Sequence, residues 1–530
     1  MSGRCIQQTG GTGRSQPRTS PQSRTEQDLT PATIRLPIRP RSVRMASHAR
    51  LLPCIAALLL AGCADRPDGP NVLMITLDTT RRDHLGCYGY ERPTSPNIDA
   101  LAADSIVYTN AYAVSSWTMP THASIFTGKY PSAHGAVYDP EGDLHLDAGI
   151  QGNYGGYRAR PIAEKETTLA MLLSDHGYAT GGIIAGPWMK KVFRLDRGFE
   201  HYDDENVTAL NGRPADDVTD AAIAFVDEHA DEPFFLFLNY YDAHSPWYDE
   251  KTRKPFHDVT PVWPKNADPT KLGGPEQAAI LYDAEVHYMD LHVGRLLDHL
   301  RLSGLYDNTW IFVLSDHGEL LGDPVLGESG LLGHGDSLTQ AEIHIPLLVK
   351  EPGPGGRKGQ DASFVQQVDL LPTILRRLGI APPPGIQGVP LGESAHPIVA
   401  ELVKLPMMNR AVGVGAKDWR HLGNWNVLVE GTNKYGWSSN GTNFLIDLAR
   451  DPNEHTNLVE KDAELARGMD ETLKAYLKSL PLPGAVGDVP AVDAETMESL
   501  RNLGYTGENA AGSEEPQAKE LAPQSESAPR

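Results

Sequence analysis

The sequence predicts an α/β fold followed by a small second subdomain. Three observations carry this. Short apolar, β-rich runs alternate with amphipathic stretches of helical spacing from residue 71 to about 380. A Pro/Gly-rich segment, Ala381 to Pro390 (APPPGIQGVP), interrupts that alternation. Beyond it come short strands and turns such as Gly431-Thr432-Asn433 and Ser439-Asn440-Gly441, then a helix at about Asp462 to Ser479.

The elements follow in order. Asn71 to Leu77 (NVLMITL) is short and apolar throughout, so it reads as a buried strand. The same reasoning marks strands at Gly181 to Ile184, Phe234 to Leu238, Trp310 to Leu314 and Ile345 to Val349. Amphipathic helices are expected at Asn97 to Ala103, Thr167 to His176, Asp216 to His229 and Ala279 to Leu302. In the last, Ala284, His287, Leu291, Leu297 and Leu300 lie at roughly helical spacing. Strands alternating with helices give a sheet covered by helices on both faces. In such sheets the chemistry sits outside the carboxyl ends of the strands.

Length bounds the organisation. At 530 residues the chain suggests about three domains, or one large α/β unit with a small companion. Hydrophobic residues make up 40% and charged residues 22%, which excludes disordered, collagenous and polytopic membrane classes. The net charge is −22, but residues 1–50 carry nine Arg against Glu26 and Asp28, so the remainder carries −29. That acidity excludes a nucleic-acid-binding surface.

The N-terminal segment divides in two. Residues 1–44 lack apolar periodicity and read as disordered or as a non-native extension, with Met45 as the start. Residues 45–62 read as a signal peptide, with an apolar run from Leu51 to Leu60 that is too short to span a membrane once mature. It ends in Leu60-Ala61-Gly62-Cys63, which resembles the lipobox of bacterial lipoproteins. That resemblance implies cleavage before Cys63, lipidation of its thiol, and a place on the periplasmic or extracellular face of the cell envelope. The other cysteines are Cys5, Cys54 and Cys87, so removal of the leader leaves no intrachain disulfide framework. Domains are expected at 71–385 (catalytic) and 386–480 (C-terminal subdomain), with a disordered tail over 507–530.

Two strand ends carry ligating groups. The first delivers Asp78 (ITLDTTRRDHLGCYG) and a later one Asp316 and His317 (FVLSDHGELLGD). Carboxylates and an imidazole at adjacent strand tips can converge on one divalent cation. Either Asp alone would serve equally as a helix N-cap. Between them lies WTMPTHASIFTG, residues 117–128, where Thr118 stands near a helix N-terminus, an end that attracts anions.

This segment resembles the signature of the sulfatase family in the alkaline phosphatase superfamily, Cys-x-Pro-Ser-Arg followed by five residues and Thr-Gly. The resemblance runs over about residues 71–460. It includes LDTTRRDHLGCYGY, SPNIDALAADS, FTGKYPSAHG, GYATGGII, FFLFLNYYDAHSPW, YDAEVHYMD, SDHGELLGD, IHIPLLVKEPG, VDLLPTILRRLG and LIDLARDPNEHTNL. It implies an alkaline-phosphatase-like mixed sheet flanked by helices, and hydrolysis of sulfate or phosphate esters. The chain departs from the pattern where the chemistry is done. Thr118 stands for the Cys that becomes formylglycine, and Thr cannot become it. His122 stands for the signature Arg, Thr79 for the second Asp, and His317 for the metal-binding Asn. The substrate-binding Gly-Lys-Trp-His segment is replaced by Ala185-Gly186-Pro187-Trp188-Met189.

The set with Thr118 is more like the superfamily's phosphoester hydrolases and transferases. It implies a metal held by Asp78, Asp316 and His317, with Thr118 completing the shell and acting as an alkoxide nucleophile. His244 and His334 match substrate-contacting positions, and either is a candidate general acid. His122 is a candidate to stabilise the anion or orient a neighbour. A His ligand favours one Mn²⁺ or Zn²⁺, with Ca²⁺ and Mg²⁺ left open. His134, His287 and His344 read as structural. Trp247, Trp263, Trp437 and Tyr154 stack on a sugar or merely pack. A phosphoryl transferase, or an inactive fold that binds an anionic glycan or lipid, are the alternatives.

Overall fold

The structure is a computed structural model. It describes residues 69–138, 144–145, 158–207, 212–249, 252, 254–265, 274–325, 328–335, 337–393, 396–403, 424–439 and 441–485. The expected leader, Cys63, residues 146–157 with Tyr154, and the 507–530 tail lie outside them.

In chain order the elements that build the site are β1 (Asn71–Leu77), α1 (Pro96–Ala102), β2 (Ile106–Tyr112), α2 (Thr118–Thr127) and α3 (Leu169–Asp175). Then come β3 (Ala179–Ile183), β4 (His201–Asp203), α4 (Ala215–Glu228), β5 (Phe234–Tyr240) and α5 (Pro275–Leu302). They are followed by β6 (Thr309–Leu314), β7 (Leu320–Val325), β8 (Glu328–Gly333), β9 (His344–Ile345), β10 (Leu347–Lys350), β11 (Gly359–Gln366) and α6 (Leu370–Arg377). The C-terminal part adds β12 (Ile398–Leu402), β13 (Trp425–Glu430), β14 (Asn433–Ser438), β15 (Phe444–Asp447) and α7 (Ala463–Ser479).

Nine strands form the main sheet, in the order β9-β2-β10-β6-β1-β5-β3-β4, with β11 also paired to β2. β6, β1, β5, β3 and β4 are mutually parallel, whereas β10 runs antiparallel to both β6 and β2. This is the mixed α/β sheet the sequence predicts. All seven residues of β1 are buried, because neighbours cover both faces as in parallel sheets generally. Val72 and Met74 join one core, and Leu73, Ile75 and Leu77 join the other. Each fully buried Val, Leu or Ile contributes about 1.5–3 kcal/mol.

On α5 the expected Ala284, Leu297 and Leu300 are buried, whereas Leu291 is 50% exposed. The buried side also takes in Tyr282, Val286, Met289 and Val293, and polar residues share it, Asp283 and Asp290 among them, so apolar spacing alone understates its width. Asp290 accepts from the backbone N–H groups of Asn97 and Ile98 and thereby caps α1.

The C-terminal strands form a four-stranded antiparallel sheet in the order β12-β13-β14-β15, with α7 packed on it. Ile398, Ala400, Val427 and Val429 belong to the same core cluster as β1 and α2. No described helix is long and apolar enough to cross a membrane.

Candidate active site

Three adjacent parallel strands end at one edge. The register pairs Thr76 of β1 with Leu314 of β6 and Asn239 of β5. The residues just beyond them therefore meet: Asp78, Asp316 with His317, and Asp242 with His244. Asp78 N–H donates to the Tyr240 carbonyl at 2.8 Å, and the Ser315 hydroxyl donates to the Leu77 carbonyl at 2.8 Å.

Each of the three expected ligands is anchored through one atom and bare at another. Asp316 Oδ1 accepts from Thr79 N at 3.1 Å and His317 N at 2.8 Å. Asp78 Oδ2 accepts from Asn239 Nδ2 at 3.4 Å. His317 Nδ1 donates to the Gly318 carbonyl at 2.9 Å, which assigns the ring proton and leaves the Nε2 lone pair outward. Asp316 Oδ2, Asp78 Oδ1 and His317 Nε2 are buried without a hydrogen-bond partner. One ligand atom from each residue lies within 4.8 Å of the others. Three unpaired buried groups in one place are costly, and a divalent cation satisfies them together.

The electrostatics agree. Burial pushes the His317 imidazole down to about 4, against the pull of Asp316, so the ring is neutral as a ligand must be. Burial, and then Asp316, push the Asp78 carboxyl well above its usual range. Thr79, in the place of the family's second Asp, has φ 54°, a left-handed conformation that side chains rarely adopt. That turn aims its N–H at Asp316 rather than offering a carboxylate.

α2 begins beside this group. Trp117 is its extended cap and Thr118 its first residue, 2% exposed. Gly128 closes the helix at φ 64°, a conformation suited to Gly. His122 ties the first turn to the sheet. Its Nδ1 lies 2.8 Å from the Thr118 carbonyl and 3.9 Å from Asp316 Oδ2, and its Nε2 lies 3.0 Å from Thr76 Oγ1. Burial lowers its pKa. With both ring nitrogens engaged, His122 is built to orient α2.

The remaining two histidines sit across from the ligands. β7 and β8 pair Leu320 with Gly333, which brings the residues flanking the hairpin, Glu319 and His334, together at its base. His334 Nδ1 lies 2.7 Å from Glu319 Oε2. Burial alone would lower the His334 pKa, but Glu319 holds it above its usual value. The His334 ring stands 4.5 Å from that of His317 and 4.8 Å from that of His244, centroid to centroid. His244 is the opposite case: burial, reinforced by His334, pushes its pKa well down. Its Nδ1 donates to the Ser245 carbonyl at 2.6 Å.

Asp78, Asp316, His317, His122, His334 and His244 thus form one connected cluster, with Thr118 joined to it through His122. Sequence reasoning passes over Glu319, Asn239, Thr76 and Gln367. Gln367 Nε2 donates to the Asp316 carbonyl at 2.6 Å. Asn239 Oδ1 accepts from the Gly186 N–H at 2.9 Å, fixing the segment where the family's Lys is missing. Lys190, the nearest Lys in sequence, reaches the Asp204 carbonyl at 3.3 Å. Glu319 was signalled only by its place in SDHGE.

Two of the histidines expected to be structural have structural partners. His134 lies 2.9 Å from Ser124 Oγ, and His344 Nε2 lies 2.9 Å from the Thr109 carbonyl. Trp247 is buried, with its indole N–H donating to the Ala243 carbonyl. Trp263 and Trp437 are half-buried.

Comparison with known proteins follows the same map. A family model described as Sulfatase matches residues 70–380. The ulvan-active sulfatase of Formosa agariphila is 24% identical over 461 residues, covering 79% of this chain and 83% of that protein. The multifunctional alkaline phosphatase superfamily protein PehA of Trinickia caryophylli is 26% identical over 410 residues, 62% of this chain and 77% of that protein. The crystal structure of the phosphonate monoester hydrolase of Agrobacterium radiobacter superposes with a TM-score of 0.58 at 20% identity, covering 77% of this chain and 95% of that one. This confirms an alkaline-phosphatase-like α/β fold. Because the family model spans more than half of the sequence, including every strand end that carries a ligand, the chain belongs to the sulfatase family and is an ester hydrolase.

Proposed function

We propose that this protein is a metal-dependent hydrolase of sulfate or phosphate esters that uses Thr118 where its relatives use formylglycine, with phosphoesters as its natural chemistry. The observation that carries the reading is the convergence of the three bare buried atoms, Asp78 Oδ1, Asp316 Oδ2 and His317 Nε2, beside the helix that starts at Thr118. These three residues would hold the cation, with the Thr118 hydroxyl completing its shell. A Mn²⁺ or Zn²⁺ ion there would supply positive charge against the anion that develops at the Thr118 oxygen and on the transferring group.

The chain's own groups do the rest. His244, neutral and with Nδ1 committed to Ser245, keeps Nε2 for the proton that Thr118 gives up. Thr118 Oγ1 then bonds to phosphorus as the bond to the leaving oxygen breaks. His334, held protonated by Glu319 through Nδ1, gives that oxygen its proton from Nε2. Water then gives a proton to the neutral His334 and bonds to phosphorus, the bond from phosphorus to Thr118 Oγ1 breaks, and His244 returns its proton to Oγ1. A formylglycine hydrate expels sulfate by breaking its own C–O bond, whereas an esterified Thr has no such exit. That difference favours phosphorus as the centre attacked. The similarity to PehA and to a phosphonate monoester hydrolase supports the same direction. The leader supports a lipid anchor at Cys63 in a bacterial envelope, which C63S would release from the membrane fraction.

The test is turnover of matched nitrophenyl sulfate, phosphate monoester and phosphodiester by the full chain loaded with Mn²⁺ or Zn²⁺, beside T118A. Phosphoester turnover that exceeds sulfate turnover and is lost in T118A supports the reading. Sulfate turnover in excess refutes the preference, and turnover that survives T118A refutes the nucleophile.

A further inference from the structure

A second cluster of carboxylates and imidazole lies one step along the same sheet edge. Asp242 follows β5, Glu285 lies on α5, and His257 stands in the 254–265 segment between them. A ligand-capable atom from each lies within 4.8 Å of the others. His257 Nδ1 is 2.5 Å from Glu285 Oε2, and its ring stacks on Tyr288 with centroids 3.4 Å apart. Asp242 Oδ1 accepts from the Ala215 N–H at 3.2 Å. That leaves Asp242 Oδ2 and Glu285 Oε1, both buried and without a hydrogen-bond partner. The two residues are each only 1% exposed. Asp216, in the first turn of α4, adds a third carboxylate to the field at His257.

Of the four carboxylate oxygens, His257 pairs with Glu285 Oε2 and the Ala215 N–H bonds Asp242 Oδ1. Asp242 Oδ2 and Glu285 Oε1 are left bare inside the protein, next to each other's charge. Burial and Glu285 accordingly push the Asp242 carboxyl up to about 7. A cation removes the conflict. We propose that Asp242, His257 and Glu285 form a second divalent-cation site, distinct from the catalytic one, that takes Zn²⁺ or Mn²⁺ and pins the 254–265 segment to the sheet and α5. A mixed imidazole and carboxylate donor set suits those ions better than Ca²⁺.

The site is wired to the catalytic loop. Tyr282, one turn before Glu285, accepts from Arg81 N at 2.7 Å and donates to the Thr79 carbonyl at 2.9 Å. Asp242 is two residues from His244. An ion at the second site therefore braces both walls of the first.

The experiment strips the full chain with a chelator, dialyses it against Zn²⁺ and measures bound metal by mass spectrometry. The expected content is two equivalents in the wild type, one in H257A and E285Q, and one in D78N/D316N. A content unchanged in both H257A and E285Q, whether the wild type binds two equivalents or one, overturns the second site. Zero in D78N/D316N overturns it too. An unchanged content in D78N/D316N, with loss in E285Q, instead removes the catalytic-site reading and leaves this one standing. Because a variant can lose metal by failing to fold, tryptic cleavage after the exposed Lys265 gives an independent readout. Zn²⁺ slows that cleavage in the wild type and not in E285Q; equal cleavage with and without Zn²⁺ in the wild type overturns the bracing role.

Discussion

Two clusters of two carboxylates and one imidazole lie at neighbouring strand ends, and they are built in opposite ways. At Asp78, Asp316 and His317 the imidazole gives its Nδ1 proton to a backbone carbonyl. Burial keeps the ring neutral, and its Nε2 faces Asp316 Oδ2 at 3.3 Å without a hydrogen bond. At Asp242, Glu285 and His257 the imidazole faces a carboxylate, which raises its pKa and makes it a partial counterion. Residue composition does not separate the two. The partner of one ring nitrogen does. The first pocket adjoins Thr118, the nucleophile of the proposed reaction; the second is half-neutralised and adjoins the 254–265 segment.

The largest test of that contrast is Thr118. T118A should lower turnover of a reactive phosphoester by roughly four orders of magnitude, while T118S retains measurable rate. Comparable turnover in T118A would make the first cluster catalytic without its helix. Next comes His334: H334A should cost about 10²- to 10⁴-fold, and less for a nitrophenol than for a poor leaving group, because an acid matters most where the leaving oxygen is basic.

E319Q sharpens the same point by pH. Glu319 holds the His334 pKa up, and the proposed mechanism uses the protonated ring. In the wild type the rate is therefore sustained until pH rises through that elevated value. In E319Q the fall should begin at lower pH, and an unmoved basic limb would show that another group is the acid. The smallest effect is expected at the second cluster, where H257A should leave turnover of a small substrate within about threefold once metal is saturating. A loss as large as that of T118A would mean that the two clusters act as one centre.

The strand-tip ligands were legible because β1 and β6 are continuous apolar runs, which fix where each strand stops and hence which residue projects. The start of α2 was legible from Thr118-x-Pro120. Other features were not. Glu319 acts through the β7–β8 hairpin, whose register is a tertiary fact, and its partner lies fifteen residues away. β11 reads as polar, GQDASFVQ, because it is a largely exposed edge paired only to β2. The buried face of α5 is wider than apolar spacing shows, because Asp283, Glu285 and Asp290 are buried with polar partners, which hydropathy counts as solvent-facing. Asp242 and His257 carried no signal until the fold set them against Glu285.

The most direct measurement is peptide mass spectrometry of the full chain, quenched during turnover of a phosphodiester. A phosphoryl group mapped to Thr118 in the wild type and absent from T118A is the predicted result. Sustained turnover with no phosphoryl group on Thr118 under any quench, or with the group on another residue, would contradict it.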